Sequence, residues 1–395
     1  MAIKGGAHSS VFNQFFSQHK TAQHTKALIM KKTLFFVALA TAMGFNNAQA
    51  VDWDWKGDVR YRYQSQIQED ADHSRDRHRI RVRFGMNAWI NEELSAGLRL
   101  ATGSPDDPIS RNQTLTDGFS AKNILLDEAY INYHPMMFDG DVNLLLGKRE
   151  TKSTLFVEDD LVWDGDLTLE GITLQYGKDI NGKQKSGFGA IAGWYSIEEA
   201  KTERDPYILA FQGAYKGEAS DLKYDLGVSY YDYVHFDLDN STGSLGFEPE
   251  FDYAGKDFNI VEFFGSIGGK ISGSLPWKLY GQYAFNTASN DDNPMIDNSA
   301  RDAYLVGLKL GKAKNPGQIE GSAEYVRIEE DALTIFTDSD RNGGGTNCEG
   351  IKLNAKYQLI QNMTLGVTYF NFNDITGPDK DSTNHLLQAD VVVKF

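Results

Sequence analysis

The sequence predicts an all-β fold, a transmembrane antiparallel β-barrel of about 16 strands with short periplasmic turns and long external loops. Three observations lead to it. Apolar and polar residues alternate with a period of two over segments about ten residues long. The connections between these segments are short and long by turns. An export signal lies near the N-terminus, and no run of about 18 apolar residues follows it to form a membrane helix.

The signal is Met30-Lys-Lys-Thr-Leu-Phe-Phe-Val-Ala-Leu-Ala-Thr-Ala-Met-Gly-Phe-Asn-Asn-Ala-Gln-Ala50, with a basic start, an apolar run and an Ala-Gln-Ala cleavage site. Residues 1–29 read as translated upstream sequence with Met30 as the true start; a genuine N-terminal extension is the alternative. The mature domain is then 51–395. The first fifty residues hold five Lys and no acid, which leaves 34 basic against 55 acidic residues, a balance of −21. That sign excludes nucleic acid as a general partner. A single cysteine, Cys348, excludes an intramolecular disulfide.

The expected strands are 57–68, 77–90, 94–103, 123–134, 142–149, 169–178, 186–198, 206–216, 220–233, 259–270, 276–287, 302–313, 317–329, 349–360, 362–373 and 384–395. The second shows the pattern best. Ile80, Val82, Phe84, Met86, Ala88 and Ile90 share one face, and Arg77, Arg79, Arg81 and Arg83 the other. In the fifth, Val142, Leu144 and Leu146 oppose Asn143 and Arg149; in the twelfth, Tyr304, Val306, Leu308 and Leu310 oppose Lys309. The fourteenth sets Ile351, Leu353, Ala355 and Tyr357 against Lys352, Asn354 and Lys356. The last ends on Phe395, an aromatic in the outward set that resembles the C-terminal assembly signature of outer-membrane proteins. Long connections fall at 104–122, 150–168, 234–258, 288–301, 330–348 and 374–383. Trp53, Trp55, Tyr61, Tyr63, Tyr230, Trp277, Tyr283 and Tyr369 sit near strand ends, as interfacial aromatic girdles require.

Two charged groups stand out. Arg60 and Arg62 on the first strand, Arg79, Arg81 and Arg83 on the second, Arg99 on the third and Arg149 on the fifth form a basic wall facing inward. Neighbouring strands lie about 4.8 Å apart, so the first three strands make one patch. So many cations need a wet lumen, acidic partners, or both; bracing of the wall by ion pairs is the alternative to a part in solute passage. The loop 150–168 carries Glu158, Asp159, Asp160 and Asp164 among apolar Leu155, Phe156, Val157, Leu161, Val162 and Trp163. Six apolar residues in an external loop point to packing against something.

Leu146-Gly147-Lys148, Asp160-Leu-Val-Trp-Asp-Gly-Asp166, Glu170-Gly171 and Leu126-Asp-Glu-Ala-Tyr-Ile-Asn-Tyr133 resemble the putative-porin family of Gram-negative bacteria. The resemblance covers the mature chain as a barrel plan, with its specific motifs between about 123 and 172. It implies an outer-membrane channel for small hydrophilic solutes and ions, bounded by lipid and lipopolysaccharide. It names no solute and supplies no binding residues to carry over. In 16-stranded porins the third loop folds into the barrel, which here sets acidic Glu158, Asp159, Asp160 and Asp164 against the arginines across a constriction. A loop folded over the rim, or held in a subunit contact, is the alternative. General porins imply a trimer. The other readings are a channel selective for organic anions or anionic sugars, and a plugged structural or adhesive barrel.

Asp338, Asp340, Asn342 and Glu349 fit the spacing of a calcium loop, D-x-[DN]-x-[DN]-G-x5-E. The flanks read as strands rather than helices, which favours a solvated Gly-rich loop tip. No other cofactor is expected. No Gly-x-Ser-x-Gly elbow, phosphate loop or Cys/His cluster occurs, and His78, His134, His235 and His385 are scattered. An enzyme is not expected.

Overall fold

The computed structural model describes residues 51–68, 72–199, 201, 204–236, 256–288, 300–377, 380 and 382–395. The expected upstream extension and signal peptide, and most of the expected loops 234–258 and 288–301, lie outside the described residues. The chain from Asp52 onward forms a single unit.

Its strands are β1 (Asp52–Gln68), β2 (Arg75–Asn91), β3 (Leu94–Thr102), β4 (Gln113–Thr114), β5 (Ile124–Tyr133), β6 (Val142–Glu150), β7 (Thr168–Tyr176), β8 (Gly187–Ser196), β9 (Tyr207–Ala219), β10 (Leu222–Val234), β11 (Asn259–Ile271), β12 (Leu275–Asn286), β13 (Asp302–Gly311), β14 (Ile319–Ile328), β15 (Cys348–Ile360), β16 (Met363–Asp374) and β17 (Thr383–Lys394). One helical turn, α1 (Thr151–Thr154), follows β6. Each long strand pairs antiparallel with its neighbours, and β1 pairs with β17, so the sheet closes into a 16-stranded barrel. The closure register sets Arg62 opposite Asp390 and Tyr61 opposite Val391.

The sixteen expected strands match the long strands within a few residues, except that β1 begins at Asp52. There Trp53 and Trp55 alternate with Asp54 and Lys56 and pair with Gly85 to Trp89 of β2. Short β4 was not expected. β3 ends at Thr102 while β2 runs on to Arg75, and β4 fills the edge so exposed by pairing with Arg79 and Ile80.

The outer face is apolar, with exposed Val59, Phe84, Leu226, Phe263, Leu279, Val306, Leu353 and Val367. Aromatics gather at both ends: Trp53, Trp55, Phe188, Tyr176 and Phe395 toward the short turns, Tyr61, Tyr230, Tyr283 and Tyr304 toward the long loops. Phe395 packs beside Gly57; a Cβ there would lie 2.8 Å from its ring and 2.5 Å from the Arg83 carbonyl. Only glycine lets the last aromatic seat against β1.

The barrel is not hollow throughout. Toward the long loops, Tyr231, Tyr233, Ile260, Ala284, Ala303, Leu305, Val326 and Ile328 face inward from β10 to β14 and are buried. Leu155, Phe156, Leu161, Val162 and Trp163 from the loop after β6 cover them, with Leu333, Ile335 and Phe336 from the loop after β14. One side of the lumen therefore holds an apolar core.

Candidate functional site

Residues 151–167, the third external loop, fold into the lumen. α1 starts the descent, and Leu155 N–H donates to the Thr151 carbonyl at 2.7 Å. The carbonyls at its end are satisfied from the wall: the Gln175 amide donates to Ser153 and Thr154 at 3.0 and 2.6 Å, and the Lys178 ammonium to Lys152 and Leu155 at 2.8 and 2.5 Å. Burial, with Arg149 nearby, brings Lys178 down to about 7. Gly182 of the turn after β7 lies against Ser153 with φ 81°, a position no side chain fits.

The loop then crosses the barrel. Phe156 N–H donates to Gln212 Oε1 at 2.8 Å, and Gln212 Nε2 returns a bond to the Phe156 carbonyl at 2.9 Å, a clasp on β9. Glu158 pairs with Lys278 on β12. Asp160 pairs with Arg341 and with Lys352 on β15, the latter at 2.7 Å. Asp166 reaches Arg81 on β2 at 3.1 Å. One loop thus touches four separated parts of the wall.

The seventh external loop, 329–347, locks it. Asp164 N–H donates to the Phe336 carbonyl at 2.6 Å, and Thr337 Oγ1 to the Leu161 carbonyl at 2.7 Å. The Ser339 N–H donates to Asp164 at 3.1 Å. Arg341, fully buried, donates to the Asp160 carbonyl at 3.0 Å as well as to its carboxylate. Burial alone would raise Asp160, but Arg341 and Lys352 outweigh it and hold the carboxyl below the usual range. Asp166 is held low in the same way by Arg81, Arg60 and Arg83. Asp164 goes the other way: burial and the neighbouring Asp338 and Asp166 push it well above that range.

The seven arginines of the expected basic wall lie on inward strand positions and divide into two groups. Arg62 pairs with Asp390 at 2.7 Å and Asp340 at 3.2 Å. Arg81 and Arg83 share Asp58 at 3.0 and 2.7 Å. Arg99 bridges Asp127, Glu128 and Glu150 at 2.5, 3.0 and 2.9 Å. Arg149 stacks over the Tyr130 ring at 4.5 Å and donates to the Ile180 carbonyl. Among the described residues, Arg60 and Arg79 meet only neutral acceptors, Asn112 for the first and Gln64 and Ser110 for the second. Arg77, on the same face, donates to Gln66.

The expected acidic set does not face these arginines. Glu158 and Asp160 are taken up by cations on β12, β15 and the seventh loop, and Asp164 is buried against Ser339. Asp159 lies with Asp160 and Glu324, but Lys352 sits among them, 2.7 Å from Asp160. The acids that do meet the arginines are Asp58, Asp166, Asp340 and Asp390 at those of β1 and β2, and Asp127, Glu128 and Glu150 at Arg99. Asp58 shares the alternate face of Arg60 and Arg62, so strand parity alone could have found it. Arg111, whose Nε donates to Asp127 at 2.6 Å, sits in a loop with no such signal.

The four residues of calcium spacing do not converge. Asp338 meets Lys352 at 3.2 Å, Asp340 meets Arg62, and Asn342 donates to Asp374. Glu349 lies at an outward position of β15 and pairs with Arg327 at 2.5 Å. A strand begins where a calcium loop would turn into a helix, which sends the last ligand to the far side of the wall.

A closed barrel of this size with a loop folded across it is the plan of a porin, and the family model described as Putative porin matches residues 29–268 and 269–395. The chain belongs to the putative porin family. Among solved structures, OprB of Pseudomonas putida at high pH aligns with a TM-score of 0.59 at 11% identity over 87% of this chain and 94% of that one. OmpF of Salmonella typhi, solved with daunomycin, gives 0.52 at 13% identity over 89% and 99%. The channel DcaP of Acinetobacter baumannii gives 0.50 at 12% identity over 89% and 99%. No curated protein matches the sequence. The protein is an outer-membrane porin of a Gram-negative bacterium, a channel by family and fold.

Proposed function

We propose that this porin passes small hydrophilic solutes and ions passively through a charged constriction. One boundary is the arginine face of β1 and β2. The other is formed by the third and seventh loops, with Asp340 and Asp166 as its acidic residues in place of Glu158, Asp159, Asp160 and Asp164. The observation that carries the reading is the path of the third loop, anchored on β9, β12, β15 and β2. It narrows the lumen toward the arginine face, which it reaches at Arg81. Acids at this level are spent on ion pairs while Arg60, Arg77 and Arg79 are not, so the constriction favours anions despite the chain's net negative charge. Exchange of Arg79, Arg81 and Arg83 for neutral residues is expected to shift the zero-current potential under a salt gradient toward cations. An unchanged potential would remove these residues from the constriction.

Lipid and lipopolysaccharide surround most of the barrel, and a homotrimer closes the rest through β3, β5, β6 and β7. Two features support that face. Its outward residues, Leu98, Leu100, Leu126, Ala129, Leu144 and Leu146, lack an aromatic toward the long loops. Lys148 and Glu170 pair outward at 2.5 Å, a charged contact that lipid tails would not solvate and a second copy would shield.

A further inference from the structure

We infer that Arg60, Arg77 and Arg79 form a binding site for small oxyanions, carboxylate or phosphate, on the open wall of the lumen; this rests on the barrel being an open channel. Neighbouring cations show the contrast. Arg62, Arg81, Arg83, Arg99 and Arg111 each hold a carboxylate oxygen within 2.5 to 3.0 Å. Among the described residues, Arg60, Arg77 and Arg79 have no carboxylate partner. Their contacts are neutral and mostly long: Asn112 at 2.6 Å, Gln66 at 3.4 Å, Gln64 at 3.2 Å and Ser110 at 3.5 Å. Among the described residues, the Nε of each has no hydrogen-bond partner. A guanidinium carries five N–H donors in a fixed fork, so most of this donor capacity is unspent. All three are half-buried. A cation partly removed from water and left without counter-charge is a costly state that an incoming anion relieves.

The surroundings suit the same ligand. Asn112, Gln64 and Gln66 are amides and Ser110 is a hydroxyl, groups that both accept and donate. They serve the arginines now and can turn a donor to a bound oxygen. Arg77 and Arg79 are alternate residues of β2, about 7 Å apart along the strand. Register puts Arg60 opposite Arg81 and Arg79 opposite Arg62, which makes Arg60 and Arg79 diagonal neighbours across β1 and β2. That spacing takes one phosphate between two forks, or a polycarboxylate spread along them. Asp340, bound to Arg62, marks the edge of the site by repelling anions.

The test is chloride current through the mature protein in a planar bilayer, with inorganic phosphate or citrate added separately at constant chloride. Saturable block by either probe is expected, and R60Q/R77Q/R79Q should weaken it about tenfold or more. K270Q, inward near the short turns on β11, should leave it unchanged. The corresponding triple lysine variant keeps the charge and loses the fork, and should weaken block severalfold. Block by phosphate alone assigns a compact oxyanion, and by citrate alone a polycarboxylate; either supports the site. Steady current with no block by either probe, or block unchanged in the glutamine variant, overturns the site and leaves the channel standing. Absence of any conductance overturns the channel reading itself.

Discussion

Arg341 is a single cation in the seventh loop, buried completely and joined to Asp160 of the third. Removing one partner of such a buried pair costs about 3–5 kcal/mol, because the other charge is left uncompensated. Lys352 still holds Asp160, so the lower end is expected here. Arg341→Ala should therefore lower the denaturation midpoint and raise single-channel conductance, as the third loop loses its brace. Asp164 gives a pH signature. Its folded-state value is raised above the unfolded one, so between about 4 and that raised value the native state binds the extra proton. Stability falls as pH rises through this window. Thermal melting across pH should show that slope, and Asp164→Asn should flatten it. An identical slope in the variant would assign it to another group.

The strands were legible because each has one face toward lipid and one toward the lumen, so period-two alternation survives over their full length. β4 was not, since two residues cannot carry a period. The third loop was legible as an inserted element from Leu155, Phe156 and Trp163, whose apolar surface needed a partner. What it would touch was not. Glu158 and Asp160 read as one acidic patch in sequence, yet they meet different strands because the loop travels across the barrel between them. Pairing across such a distance leaves no local pattern. Trp163 stacks edge-on against Tyr231 at 5.1 Å and packs on Phe336 at 6.4 Å, joining two loops and the wall. Trp163→Ala should cost about 3–5 kcal/mol of stability by the cavity it leaves, read by chemical denaturation of the refolded barrel. A loss under about 1 kcal/mol would mean the loop is not packed as a core.

At the scale of the molecule, one barrel serves two solvents. Its outer surface faces lipid, and its interior divides into an apolar core on one side and a charged wall on the other. This division lets an acidic chain gather an arginine face on one wall. Charge is balanced locally, with Asp58, Asp127, Asp166 and Asp390 each assigned to an arginine, so net charge says little about selectivity. The outer face varies too. If β3 and β5 to β7 meet further copies, Ala129→Arg should release monomers in native-gel or light-scattering measurements of the detergent-solubilised protein. A trimer that persists would assign the interface to another face.

Single-channel conductance and zero-current potential under a salt gradient test the central claim most directly, using mature protein inserted in a planar bilayer. A large, stable conductance with an anion-selective potential, reduced in R60Q/R77Q/R79Q, is the expected result. A folded, inserted barrel that does not conduct would contradict the open lumen, and a cation-selective potential would contradict the arginine face as the boundary that governs passage.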